Sequence, residues 1–525
     1  MITRITGRST VVFKLIAVFA CFALPPANSR AQSAAQQIIE DAANAVGGRQ
    51  RVLAVKTLLL EGGGHNFEVD QGLRWDDLGI QSDVSQMRDY KRAYDLVNSR
   101  ARFETTNQRQ YAFYQGEAPV RQVQSLDGDV VFNVNANGNA ARVFTQGQIA
   151  ARRVEYLRHP LTLLRALLGP DATLTNVRNG QNERLVDVTV GTVTLTAAFD
   201  NATKLPSRVI QMTDSPTMGD RAVETRFSDY QSVGGLQLPT RFTTKTDRFV
   251  SADVRILRQV VDGDVGNLAA PATVASAAPS GTGGQPQSSP TQAEEIAKGI
   301  WFVTGTTHHS LLVEFSDHLM LIEAPNVERA TSVMAKAREL RPNKPVTTLL
   351  VTHHHSDHTS GVRSAVASGI TEIITHKSNV QFLTEMFRRP HTINPDLFAK
   401  TPGAKAPKIT AIDDAGFVKD GTMTVNLFHL LDNTHADSQL VIYFPGAQIF
   451  TEADDYYPND ERNIVPGEPL GHAPWNRNVL ANINHRKLQV EHIAPIHGDY
   501  VPYSQFLENT LLMTEFLPKA DRATK

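Results

Sequence analysis

Residues 351–361 read VTHHHSDHTSG, and they decide the fold of the second half of this chain. They follow the apolar, β-branched run Val346 to Val351, so they belong on the loop that leaves a strand and opens a helix. On such a loop His353 and His355 alternate to one side and can hold one divalent ion through neutral imidazoles. Asp357 and His358 fall one step further and can reach a second ion, with His354 and Ser356 as spacers. Nitrogen and oxygen donors in this pattern suit zinc-type ions, and a catalytic site of that kind keeps one position open for water.

Working outward, all but His65 and His159 of the 17 histidines lie after residue 300, which puts the chemistry in the second half. Between Ala269 and Gln292 the sequence is AAPATVASAAPSGTGGQPQSSPTQ. Such a composition buries too little apolar surface to offset its ordering entropy, so 266–294 reads as a linker. It separates a domain at 32–265 from one at 295–525, in keeping with the length of 525 residues. Lys and Arg total 52 against 54 Asp and Glu, a net charge of -2 that speaks against a nucleic-acid binder.

The first 31 residues read as a signal peptide. Arg4, Arg8 and Lys14 precede the apolar core Leu15 to Leu24, Pro25 and Pro26 break it, and Ser29-Arg30-Ala31 offers a cleavage site. The core is too short to span a bilayer. The mature chain is expected to begin near Gln32, in the periplasm or outside the cell, without Cys21, the one cysteine. Lipidation at Cys21 is the rival reading, disfavoured by the bulky Phe19 before it.

In the first half a helix is expected at Ala34–Ala45, stopped by Gly47-Gly48. Strand patterns then dominate, as in 185–190 and 192–196 around Gly191, and one amphipathic helix is expected at Val154–Leu168 through Leu157, Leu161, Leu164 and Leu168. The pattern predicts a curved antiparallel β-sheet with one or two helices. Through AANAVGG (42–48) and YQSVGGLQLPTRF (230–242) this half resembles the outer-membrane lipoprotein carrier and sorting superfamily. That resemblance implies an apolar face able to hold an acyl or lipid ligand. A structural or docking module is the alternative.

The second half alternates strands with helices, including helices at Glu328–Leu340, Ser360–Ala367 and Tyr503–Phe516, which indicates a layered α/β domain. Its motif His353-x-His355-x-Asp357-His358 resembles the H-x-H-x-D-H signature of the metallo-β-lactamase-fold superfamily. The resemblance implies an αββα sandwich over about 298–516. It also implies the remaining metal ligands: His435 completing the first site, Asp454 at a strand end as the bridge, and His497 in the second site. Where the superfamily usually has an aspartate after the strand preceding the first helix, this chain has Glu323, which is expected to support the metal loop after a small backbone adjustment. His308, His309, His318, His376, His391, His429, His472, His485 and His492 fit no ligand position, and His309 is the one expected near the mouth.

This ligand set implies two zinc ions per chain, with iron or manganese also compatible, and a metal-bound hydroxide as nucleophile. Asp357 is the expected catalytic residue, orienting the water or taking its proton. The expected substrate is a small molecule with an ester, thioester, lactone, amide or phosphoester centre. An aspartate at 454 resembles the glyoxalase II, lactonase and phosphodiesterase branches rather than lactamases with a thiolate there. A β-lactamase, and a non-catalytic lipid or lipoprotein handling protein with a remnant metal domain, stand as alternatives.

Overall fold

A computed structural model describes residues 27–76, 84–110, 118–278, 291–305, 307–458 and 473–515. Most of the expected signal segment, with Cys21, lies outside them, as do His472 and residues 279–290 of the expected linker. Among the described residues no helix is long and apolar enough to cross a membrane.

The N-terminal half is one 13-stranded antiparallel sheet. Thr57–Phe67 lies near its middle, with the strands that follow in sequence laid down on one side as far as Ala140–Arg142. The chain then crosses through two helices and returns, strand by strand, from Ala172–Asn179 at the far edge to Phe249–Val261. That last strand pairs with the first, Leu58 opposite Val261. Helix Ala27–Val46 and the crossover helices cover one face, where Ile39, Val46, Leu161 and Leu164 pack on Leu60, Val186, Leu238 and Val254.

The single helix expected over 154–168 is two, Gln146–Leu157 and Pro160–Leu168. Pro160 disfavours helical geometry in the residue before it, and His159 is extended (φ -129, ψ 135). Its Nδ1 then accepts the Leu161 N–H at 3.2 Å, capping the second helix. A cavity of about 270 Å³ on this face is lined by the Arg92–Glu155 ion pair and His159 as well as Leu60, Met87 and Phe242, a more polar lining than an acyl chain calls for.

After the last strand the chain stays docked: Leu268 is buried against Leu59 and Ala93, and Arg142 donates to the Ala275 and Ala277 carbonyls. Ala293–Ala297 already belongs to the second domain.

That domain is a four-layer sandwich. A seven-stranded sheet runs from Ala293–Ala297 to Lys408–Ile412 and a six-stranded sheet from Ala415–Lys419 to Val501–Pro502. Leu311, Val313, Met320 and Ile322 of the first sheet meet Val425, Leu427, Ile442 and Phe444 of the second. Helices Val327–Leu340, Val362–Ala367 and Val380–Arg388 cover the first sheet, and Ala473–His485 and Tyr503–Glu515 the second. With both faces covered, the central strands are apolar throughout, as in the fully buried Leu319–Ile322.

The helix expected at 360–367 runs over Val362–Ala367 and is preceded by a separate single turn, Ser356–Thr359. Gly361 causes the break. A Cβ there would come within 2.4 Å of the Asn326 carbonyl oxygen, and its N–H donates to Ala324 at 2.9 Å. This contact presses the metal-ligand loop onto the end of the neighbouring strand.

Candidate metal centre

The loop 351–355 leaves the end of strand Val346–Leu350 beside the parallel strand Leu319–Ile322. Glu323, just past that second strand, is fully buried at φ +69. One carboxylate oxygen accepts the Thr352 N–H at 2.8 Å and the other lies 2.8 Å from His358 Nδ1. With Nδ1 facing Glu323, His358 turns Nε2 toward Asp454, 3.1 Å from its Oδ1.

His353, His355, His435 and Asp454 form one group whose ligand atoms all lie within 4.8 Å of one another. Asp454 Oδ2 is 3.1 Å from His353 Nε2 and 2.9 Å from His435 Nε2. The buried Nδ1 of His355 has no hydrogen-bond partner, the mark of an atom kept for another purpose. The second group is His308, Asp357, His358 and His497. Asp454 reaches it too, with Oδ1 2.7 Å from His497 Nε2. One carboxylate thus stands between two clusters. Burial would raise its pKa, but His358, His497, His435 and the hydrogen bond from His353 hold it well below the usual carboxylate range. Burial pushes His353 down to about 4, so it is a neutral donor at pH 7.

All seven ligand positions read from the sequence therefore come together. The structure adds His308, whose Nε2 lies 3.3 Å from Asp357 Oδ2 and whose ring meets His497 edge-on at 4.1 Å. Here the sequence reading chose the wrong neighbour. His309 accepts the Gly305 N–H at 2.9 Å and packs on Phe302, away from the cluster. The doubled histidine of 308–309 was the available signal, and only the register of the following strand tells which of the two faces the site. Tyr457 was also missed: its hydroxyl is 3.2 Å from Asp454 Oδ1, and its ring stacks on His497.

The Glu452 carboxylate turns back to accept the Asp455 and Tyr456 N–H groups. Asp455 is buried and accepts from Asn433 and Gln439. Asn433 in turn accepts the His435 N–H, so Asp455 braces the loop that carries a ligand.

Residues 303–449 match the family model described as the metallo-beta-lactamase superfamily. The C-terminal half is a metallo-beta-lactamase-superfamily domain. The match takes in Glu323 and the ligands through His435; Asp454 and His497 follow it in the same sandwich. No curated protein matches the chain. Similar solved structures include rubredoxin oxygen:oxidoreductase from Desulfovibrio gigas, at 14% identity and TM-score 0.35, covering 43% of this chain and 61% of that one. The metallo-beta-lactamase from Pontibacter korlensis is 14% identical, with TM-score 0.33 over 43% of this chain and 99% of its own. The mono-zinc form of the metallo-beta-lactamase FIM-1 from Pseudomonas aeruginosa is 20% identical, with TM-score 0.31 over 45% and 100%. The superfamily domain and its two His/Asp groups support metal binding and a metal-dependent hydrolase in general.

Proposed function

We propose that this protein is an exported binuclear zinc hydrolase acting on a small molecule with an ester, thioester, lactone, amide or phosphoester centre. The observation that carries the reading is Asp454, one oxygen 2.7 Å from His497 and the other within 3.1 Å of His353 and His435. His353, His355 and His435 would hold one ion, Asp357, His358 and His497 the other, and Asp454 both. Such ions, when bound, supply a nucleophile at neutral pH by lowering the pKa of water toward about 7, and they polarise the scissile centre. The chain's own residues do the rest. Glu323 fixes the tautomer of His358, and Asp357, at the mouth between His308 and Gln71, orients the attacking water. The complete ligand set favours an enzyme over a remnant metal domain.

Protein purified without chelators and supplied with zinc should carry about two ions per chain. His353→Ala should lose mainly the first and His497→Ala mainly the second. One ion or none in the unaltered protein would sink the binuclear reading, whereas a hydrolase panel in which only β-lactams are turned over would replace the proposed substrate class. Export rests on the sequence features of residues 1–31. N-terminal sequencing of the mature protein should start near Gln32, and a blocked Cys21 would overturn cleavage at Ala31.

A further inference from the structure

Six residues of the N-terminal domain, 70–75, leave the sheet after strand Thr57–Phe67 and lie along the metal-ligand loop. The Asp70 carbonyl accepts the Ser356 N–H at 3.3 Å, and the Gly72 carbonyl lies 2.9 Å from His355 Nε2. The Gln71 amide donates to Asp357 Oδ1 at 2.8 Å and reaches Ser356 Oγ at 3.2 Å. The Leu73 carbonyl takes the Asp437 N–H at 2.9 Å, two residues beyond His435. The segment is anchored at its start. Asp70 sits at φ +78 with its carboxylate against the buried Arg221, which also meets Asp247, and Arg389 of the second domain donates to the same Asp247 at 2.8 Å.

A ligating imidazole gives one nitrogen to the metal and must keep its proton on the other, so the acceptor of that proton selects the tautomer and sets the ring angle. For His358 the acceptor is Glu323, from its own domain. For His355 it is the Gly72 carbonyl, 283 residues away in sequence, which leaves the unpartnered Nδ1 facing the first group. We infer that the N-terminal domain completes the metal centre: residues 70–75 are a positioning strap that fixes His355 in the first site through Gly72 and Asp357 in the second through Gln71. This rests on the binuclear reading above and assigns the first domain a role in it.

The test is zinc affinity of each site in the full chain, measured by chelator competition, with the absorption spectrum of the cobalt-substituted protein as a second readout. Loss of an outer partner of a metal ligand typically costs 10–100-fold in affinity. Gln71→Ala, at a half-buried position, should weaken the second ion about tenfold and spare the first. Asp70→Ala puts a residue intolerant of positive φ at the anchor and should weaken the first ion about 10–100-fold. Asp70→Asn, which tolerates that φ and keeps an acceptor for Arg221, should restore most of the loss. If both alanine variants hold both ions as tightly as the unaltered chain, the strap has no positioning role. Should Asp70→Ala not fold, Gln71→Ala decides alone. An unaltered chain that binds no zinc overturns the metallohydrolase reading itself, whereas two tight ions with unresponsive variants overturn only the strap.

Discussion

Asp454→Ala should lower turnover by about 10³-fold or more while the sandwich stays folded. The carboxylate is 3% exposed and reaches both clusters, with four imidazole nitrogens 2.7–3.1 Å from its oxygens. On the binuclear reading proposed above, removing it would take away the anion that lets two cations sit side by side, so the loss would fall on the chemical step rather than on substrate contacts with the pocket walls. Asp454→Asn should be nearly as damaging, because a neutral amide leaves the same positive charge uncompensated. Steady-state rates and bound zinc per chain are the readouts, and an Asp454→Ala enzyme with two ions and an unaltered rate would show that the bridge is placed wrongly. Asp455→Ala should cost about tenfold through the His435 loop, since Asn433 loses one of its two buried acceptors.

Glu323→Ala should be the most destabilising change near the site, by about 3 kcal/mol, because it strands the buried Thr352 N–H and the His358 Nδ1 proton together. It also places alanine at φ +69, where a side chain is strained. Glu323→Gln separates structure from metal binding. The amide oxygen still accepts from Thr352, but the NH₂ now faces His358 Nδ1 and drives its proton to Nε2, the atom aimed at the second site. That variant should melt close to the unaltered protein and yet bind the second ion 10–100-fold more weakly. Thermal unfolding and zinc titration together check both expectations, and full second-ion affinity in Glu323→Gln would refute the orienting role.

The ligands of the 353–358 loop were legible because they sit at short, fixed spacings, whereas His435, Asp454 and His497 were placed by the resemblance to the superfamily's ligand order. Glu323 was placed by the same resemblance, as the residue standing where the superfamily usually has an aspartate. What the sequence could not carry were contacts closed only by tertiary packing. His308 and His309 are adjacent, and the choice between them is made by the His309 N–H bonding to the Ile496 carbonyl, a contact between the two sheets. Gln71 and Gly72 belong to another domain and have no spacing relation to the loop they touch. The split of helix 146–168 was open to view in Pro160, but the leucine periodicity running through it masked the break.

The pairing of Thr57–Phe67 with Phe249–Val261 bears on synthesis. Lys56 and Asp262, hydrogen-bonded at 2.6 Å, are 206 residues apart, so the sheet stays open along one long edge until nearly the whole domain has emerged. At roughly 5–20 residues per second that wait is on the order of 10–40 s. An unpaired edge of this length invites the wrong strand partner, and non-local closure of this kind folds slowly.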